Sequence, residues 1–197
     1  MRIVDEFDGG VGWICDEPMA RTSHALRTEG GTWLVDPLEP VPAELEAVRG
    51  VIQLLDRHNR DCAALARRFG VPHVWGFEGA GETPFELVRV ARNRWWREVA
   101  LWWPERRVLV CADALGTLPF FRTSKERIGV HPLLRLTPPR RLRGLDAERI
   151  LVGHGLGIHE DAADALREAI ATARRRAPKV VLDGVRTLRR RRGDADM

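Results

Sequence analysis

Short segments in which apolar and polar residues alternate fill the first part of the chain, and this period of two predicts β-strands. Two glycine pairs, Gly9-Gly10 and Gly30-Gly31, supply the backbone freedom that tight hairpin turns require. The alternation predicts strands at residues 2–7, 11–15, 23–28, 32–35, 51–55 and 73–77.

Helical periodicity appears in two segments, and a third helix is indicated by its flanking residues. Between residues 61 and 69 apolar side chains recur at i, i+3, i+4 and i+7, and Gly70 follows at the position where helices commonly end. Residues 160–176 carry a stripe of alanine, leucine and isoleucine with helical spacing. A proline before residues 43–48 and a glycine after them predict a short helix there.

Further strands follow in the second half of the chain. The pattern predicts them at residues 86–91, 98–103, 107–111 and, after a loop-rich region, 150–152. Alternation of strands and helices is typical of α/β proteins, and 197 residues fit one domain. We therefore expect a single α/β domain over residues 1–176 and a basic C-terminal tail, ordered in part, over residues 177–197.

The positive charge of the chain is concentrated near its C-terminus. The formal net charge is +4, but the residues from Arg174 onward include nine Lys or Arg and three Asp, which leaves the preceding part mildly acidic. A basic tail can bind nucleic acid. We favour a solvated terminus over a nucleic-acid interface, because no basic stripe accompanies the tail in the rest of the sequence.

The cysteines and the N-terminus bear on the cellular compartment. Cys15, Cys62 and Cys111 are few and widely spaced, which favours free thiols in a reducing environment. The first residues do not have the basic and apolar regions of a signal peptide, and no apolar run approaches the roughly 20 residues of a membrane span. The expected location is cytoplasmic, without a membrane partner.

Four segments of the chain carry a resemblance to a known family. They are Ser23-His-Ala-Leu-Arg-Thr-Glu-Gly-Gly-Thr-Trp-Leu-Val-Asp36, Val51-Ile-Gln-Leu-Leu-Asp-Arg-His-Asn-Arg-Asp-Cys62, Glu98-Val-Ala-Leu-Trp-Trp-Pro-Glu-Arg-Arg-Val-Leu-Val-Cys-Ala-Asp113 and Val152-Gly-His-Gly155. In this order they resemble the metallo-β-lactamase superfamily. The resemblance implies an αββα sandwich, with two mixed sheets flanked by helices, and a metal site for zinc-dependent hydrolysis.

The chain departs from that family's pattern at the metal site. The second segment stands where the family has a His-x-His-x-Asp-His ligand loop. If Asp61 takes the place of the loop's aspartate, Arg57, Asn59 and Cys62 take the places of its three histidines. An arginine at such a position puts a fixed cation where a metal ion would sit.

A second alignment of the same loop remains open. It places His58 on the second histidine of the loop and Arg60 on its aspartate. The family's central histidine has no counterpart in either alignment. The best matches are Asp113, which resembles the bridging aspartate, and His154, which resembles the last ligand histidine.

These residues give two opposed expectations about function. We favour a degenerate member with a degraded metal site, without bound cofactor or efficient zinc hydrolysis, in a binding or structural role. In that case Asp61 caps its helix and Cys62 is a core residue. The alternative is a hydrolase whose zinc or other divalent metal is held by divergent ligands, with these metal candidates: Asp61, Cys62, Asp113 and His154. The candidates for acid–base catalysis are Asp56 and His58.

Paired tryptophans suggest a partner. Alternate members of Trp95-Trp96 and Trp102-Trp103 would face opposite sides of a sheet, so one of each pair is left to pack elsewhere. We expect a homodimer through these Trp-rich strands. A less favoured interpretation is that the tryptophans, with nearby arginines, stack on nucleic-acid bases.

Overall fold

The computed structural model describes residues 1–79 and 81–193, with side chains through residue 178. Its larger sheet has six strands in the spatial order β1-β2-β3-β4-β5-β6. These strands are β1 (Arg2–Phe7), β2 (Gly10–Ile14), β3 (Thr22–Thr28), β4 (Gly31–Val35), β5 (Val48–Gln53) and β6 (His73–Trp75). From β1 to β4 each strand runs antiparallel to the one before it, whereas β4, β5 and β6 are parallel to one another.

The second sheet has four strands in the order β12-β9-β8-β7. Their bounds are β7 (Glu86–Asn93), β8 (Trp96–Trp103), β9 (Val108–Cys111) and β12 (Arg149–Val152). Only β9 and β12 are parallel in this sheet, so both sheets are mixed. A two-stranded ribbon, β10 (Leu115–Gly116) with β11 (Gly129–Val130), lies in the loop-rich region.

Alternating side chains divide the core into layers. On β3 and β5, Leu26 and Ile52 belong to the larger buried cluster, which includes the second sheet and α2 (Ala162–Gly193). Their chain neighbours Ala25 and Val51 point the opposite way, towards α1 (Cys62–Phe69). This period of two is what the sequence pattern predicted. The layers are therefore helix, sheet, sheet and helix, and the expected αββα sandwich is confirmed.

One predicted helix is wrong. Residues 43–48 form turns rather than a helix, and Val48 already belongs to β5, where it pairs with Thr32 of β4. Prolines at positions 37, 40 and 42 restrict this segment and remove backbone donors. Pairing with β4 then extends β5 towards its N-terminus, so a tertiary contact outweighs the local helix signal.

The last helix, α2, extends beyond residue 176, where the sequence analysis placed the end of the domain. α2 continues from Ala162 to Gly193 and contains Pro178, so the tail predicted over residues 177–197 begins within a helix. Residues 194–197 lie outside the described part of the chain. Among the described residues, no helix combines the length and apolarity needed to cross a membrane.

The two sheets are hydrogen-bonded to each other at one edge. Beyond the end of β5, Val99 of β8 donates its backbone N–H to the Leu54 carbonyl at 3.0 Å. At the start of β3, the Thr22 N–H donates to the Gly153 carbonyl at 2.9 Å. The carboxyl ends of β4, β5, β9 and β12 meet at this edge, which is the place where α/β proteins usually build their sites.

Candidate metal centre

Three side chains from three strand ends converge at the joined edge. His58 follows β5, Asp113 follows β9 and His154 follows β12. One ligand atom of each lies within 4.8 Å of the others. Asp113 Oδ1 is 2.9 Å from His58 Nε2 and 3.1 Å from His154 Nε2. These are residue types that bind zinc and other divalent metals.

The Nδ1 atom of each imidazole, on the side away from Asp113, faces a hydrogen-bond acceptor. His58 Nδ1 lies 2.8 Å from Asp36 Oδ2, and His154 Nδ1 lies 2.8 Å from the Met19 carbonyl oxygen. A carboxylate and a carbonyl only accept, so both Nδ1 atoms carry the hydrogen. In its neutral form, each imidazole then turns its Nε2 lone pair towards Asp113. Metal-binding histidines are commonly oriented by such outer contacts.

The oxygen at which these lone pairs converge is unsatisfied. Asp113 Oδ1 is buried, and with both Nε2 atoms unprotonated it has no hydrogen-bond donor among the described residues. Two lone pairs facing a carboxylate oxygen repel one another unless protons or a cation lie between them. Without a cation, a protonated His58 Nε2 can donate to this oxygen instead. Burial opposes this, but the Asp36 carboxylate and the contact with Asp113 leave the pKa of His58 raised.

The same interactions act on the aspartate. Although burial disfavours its charge, His154 and His58 hold the pKa of Asp113 well below its usual range. A carboxylate beside two directed imidazole nitrogens is a donor set suited to a divalent cation. The residues present thus fit one metal ion with three protein ligands.

Two buried acidic residues, Asp36 and Glu98, hydrogen-bond to the segments that carry two of the three side chains. Asp36, at the end of β4, accepts the Leu54 N–H at 2.9 Å through its other carboxylate oxygen. Glu98 Oε1 accepts the N–H groups of Asp113 and Ala114 at 3.1 and 2.9 Å, which fixes the turn that carries Asp113. Glu98 is fully buried, and this burial raises its pKa to about 8.

Comparison with known proteins identifies the scaffold. No protein-family model matches the chain, and no curated protein matches its sequence. Solved structures do match. A metallo-β-lactamase from Pontibacter korlensis superposes with a TM-score of 0.55 at 9% identity, covering 86% of this chain and 98% of the other. A mono-zinc metallo-β-lactamase from Pseudomonas aeruginosa gives 0.54 at 10% identity, covering 88% and 96%.

The chain has the metallo-β-lactamase fold. A third match of this fold is the rubredoxin:oxygen oxidoreductase of Desulfovibrio gigas, with a TM-score of 0.55 at 15% identity. It covers 90% of this chain but only 62% of the oxidoreductase. At these identities the likeness concerns the fold alone.

Two arginines distinguish the centre of this metallo-β-lactamase-fold chain. Arg60 Nη1 donates to the carbonyls of Thr22 and Asp36, both at 2.8 Å, while Nη2 lies 3.4 Å from His58 Nε2. Arg57 Nη2 lies 3.7 Å from Asp113 Oδ2. Both positive charges oppose a cation at the centre, and they are the strongest argument for the degraded site expected from the sequence.

Aromatic rings leave only narrow access to the centre. Phe121 stacks on His154 with 5.8 Å between ring centroids, and Arg57 lies 4.4 Å from the Trp96 ring centroid. The side chains of both ligand histidines are 9% exposed and that of Asp113 is 16% exposed. Solvent therefore reaches the ligands mainly at Asp113.

The residues singled out from the sequence fall into two groups. The structure brings Asp113 and His154 together with His58, in the second of the two alignments. Asp61 and Cys62 lie outside this group. Asp61 accepts the Glu39 N–H at 2.8 Å and makes no cap to its helix, whereas Cys62 is packed in the cluster beneath α1, where burial raises the pKa of its thiol.

One further residue singled out from the sequence, Asp56, lies outside the centre, and two residues that support the centre were not predicted. Asp56 is not part of the three-residue group, and its Oδ1 is buried without a hydrogen-bond partner among the described residues. Asp36 and Glu98 were not predicted as site residues. Glu98 carried a signal, because a charged residue inside the apolar run of β8 has to be satisfied by specific partners.

Proposed function

We propose that this chain is a mononuclear metal-dependent hydrolase that binds one divalent cation, zinc foremost, through His58, Asp113 and His154. One observation carries the proposal. Both imidazoles are fixed by acceptors at Nδ1, so that both Nε2 atoms face a buried carboxylate oxygen that has no partner among the described residues. The named activity of the superposed metallo-β-lactamases agrees with this reaction class.

The bound cation and the residues around it would have different roles in hydrolysis. A divalent cation would supply the activation of water and the polarisation of a carbonyl or phosphoryl oxygen. Asp36 and the Met19 carbonyl keep the two histidines in the tautomer that exposes Nε2. Arg57, whose side chain is 46% exposed, is placed beside Asp113 to attract negative charge on a bound substrate.

Metal titration tests the first half of the proposal. Untagged protein, stripped with a chelator and titrated with zinc by calorimetry, should bind one ion per chain, and elemental analysis should give the same ratio. His58→Ala, Asp113→Ala and His154→Ala should each weaken binding severely. His73→Ala is the matched control, because His73 is exposed and contacts Gln53 instead. Binding that all three ligand variants retain would contradict the proposal.

Hydrolysis is tested separately on the loaded protein. Chromogenic esters, thioesters, phosphodiesters and a cephalosporin should be screened with and without zinc. We expect turnover of one class that disappears on chelation and in His154→Ala, and that returns when metal is added to the wild type. A loaded protein that turns over none of these classes would refute hydrolysis while leaving the metal site intact.

A second candidate function rests on the arginines. The charges of Arg57 and Arg60 favour a metal-free protein in which protonated His58 pairs with Asp113, and which acts by binding rather than by hydrolysis. That function predicts no metal uptake at about 100 µM zinc. It also predicts stability that declines as the pH rises through the raised pKa of His58, since the charged imidazole holds the folded state together.

A further inference from the structure

A second group of side chains lies on the β7–β8 hairpin, towards its turn, and at the end of β6. We name it the arginine–aromatic surface. It consists of Arg89, Arg92, Arg94, Arg97, Trp75, Phe77 and Trp95.

The guanidinium groups of this surface stack on rings. Arg97 lies 4.3 Å from the Trp75 ring centroid and 4.7 Å from that of Phe77. Arg92 and Arg89 approach the same Phe77 ring at 5.6 and 5.7 Å. Three positive charges thus share one aromatic ring, and each guanidinium keeps N–H groups for another ligand.

The charges of this surface are not neutralised by the described part of the chain. None of its four arginines forms an ion pair with a carboxylate there, whereas several other surface arginines do. Arg92 and Arg97 are direct cross-strand partners. Like charges placed opposite each other destabilise a sheet. A multiply charged anionic ligand would remove this repulsion.

The hairpin tip presents a further ring to solvent. Trp95 is 72% exposed, and the Arg94 guanidinium lies 4.6 Å from its ring centroid. The tip is nevertheless held in place. Asn93 Oδ1 accepts the Trp95 N–H at 2.8 Å, and Arg57 Nη1 donates to the Trp95 carbonyl at 2.7 Å. A large apolar ring on a braced turn is a preorganised stacking platform.

We infer that the arginine–aromatic surface binds single-stranded nucleic acid, with the arginines on phosphates and Trp95 stacked on a base. Charge and exposed rings together distinguish this ligand from other polyanions. Single strands offer unstacked bases to aromatic side chains, whereas a duplex or a lipid surface offers only charge to them. Another basic cluster of the chain, at Arg140, Arg141 and Arg143, has no stacked ring among the described residues and provides a control.

Fluorescence anisotropy with a labelled oligothymidine and an oligouridine of about 15 nucleotides tests the inference on the full chain. We expect binding that weakens steeply between about 50 and about 200 mM salt. Trp95→Ala should weaken it about 5- to 100-fold, because base stacking on one ring has that effect. The Arg92→Gln/Arg97→Gln variant should lower the slope of log affinity against log salt by about 1 to 2.

Controls separate this surface from other basic regions. Arg141→Gln/Arg143→Gln should bind the oligonucleotides within about two-fold of the wild type, as should a chain lacking residues 186–197. Circular dichroism and thermal unfolding should show that Trp95→Ala is folded, since its ring is exposed. Equal binding of a duplex or of anionic phosphatidylserine vesicles, unchanged in Trp95→Ala, would overturn the inference. Loss of binding only on removal of residues 186–197 would overturn it as well.

Discussion

A buried ion pair in the loop-rich region that carries Phe121 gives a quantitative prediction. Arg135 and Glu126 are almost inaccessible to solvent, with side chains 0% and 1% exposed. Arg135 donates to both carboxylate oxygens of Glu126, at 3.2 and 3.0 Å, and to the Phe121 carbonyl at 2.6 Å. Arg135→Met would keep most of the side-chain length while removing every one of these donors.

The expected loss of stability in Arg135→Met depends on the contacts that Glu126 keeps. Its carboxylate would still accept the Thr123 N–H at 2.7 Å, and Arg176 stands 3.6 Å away. Removing one partner of a buried pair costs about 3–5 kcal/mol. Because Arg176 compensates in part, we expect Arg135→Met to lower the free energy of unfolding by about 3 kcal/mol.

Urea unfolding followed by tryptophan fluorescence measures this change. Arg68→Met is the matched control, because the Arg68–Glu39 pair is 59% and 50% exposed and such pairs contribute about 0–1 kcal/mol. Removing both charges, in Arg135→Met/Glu126→Leu, should restore part of the loss. If Arg135→Met costs no more than Arg68→Met, the assumed desolvation of the pair is wrong.

The pair also gives a pH dependence. Burial opposes the charge on Glu126, but its contacts with Arg135 leave its pKa lowered. A folded pKa below the unfolded one contributes stability that is present above the unfolded value, about 4.3, and is lost as the pH falls through the folded pKa. Arg135→Met should therefore lose part of the wild type's acid sensitivity in the same unfolding assay.

Three further changes test the scaffold of the centre. Asp36→Asn should weaken zinc binding about 10- to 100-fold by calorimetry, because one amide oxygen cannot accept from both His58 and Leu54. Glu98→Gln should flatten the decline in unfolding free energy between about pH 4 and pH 8, because the raised pKa of about 8 makes the folded state the stronger proton binder in that window. Gly153→Ala should cost about 1–3 kcal/mol and lower the Tm, because its Cβ would lie 2.6 Å from a backbone carbonyl oxygen.

The sequence was informative where local pattern and tertiary structure agree. Alternation predicted strands because the pleat has a fixed period of two, and neighbours such as Ala25 and Leu26 do face opposite sides of the sheet. The same logic failed at residues 43–48, where the helix signal came from flanking residues and the deciding contact was pairing with β4. The residues near 43–48 in the sequence give no signal of that pairing with β4.

The centre could be predicted only in part. Asp113 and His154 stand at strand ends, and the structure brings them together. The loop from Asp56 to Asp61 was ambiguous, because its two alignments differ by a shift of the chain. Arg60 adopts a left-handed conformation with φ of 38°, and Asp61 and Cys62, which follow it, lie outside the three-residue group. Nothing in the sequence requires a non-glycine residue to adopt that conformation.

The joining of the two sheets at one edge has a consequence for folding kinetics. The three candidate ligands follow β5 of one sheet and β9 and β12 of the other, at distant points along the chain. The centre is complete only when both sheets have docked. If the sheets dock after the rate-limiting step of folding, a cation bound there would leave the refolding rate nearly unchanged and slow unfolding instead. In this chain, the metal ion would set the lifetime of the folded state rather than the speed at which it is reached.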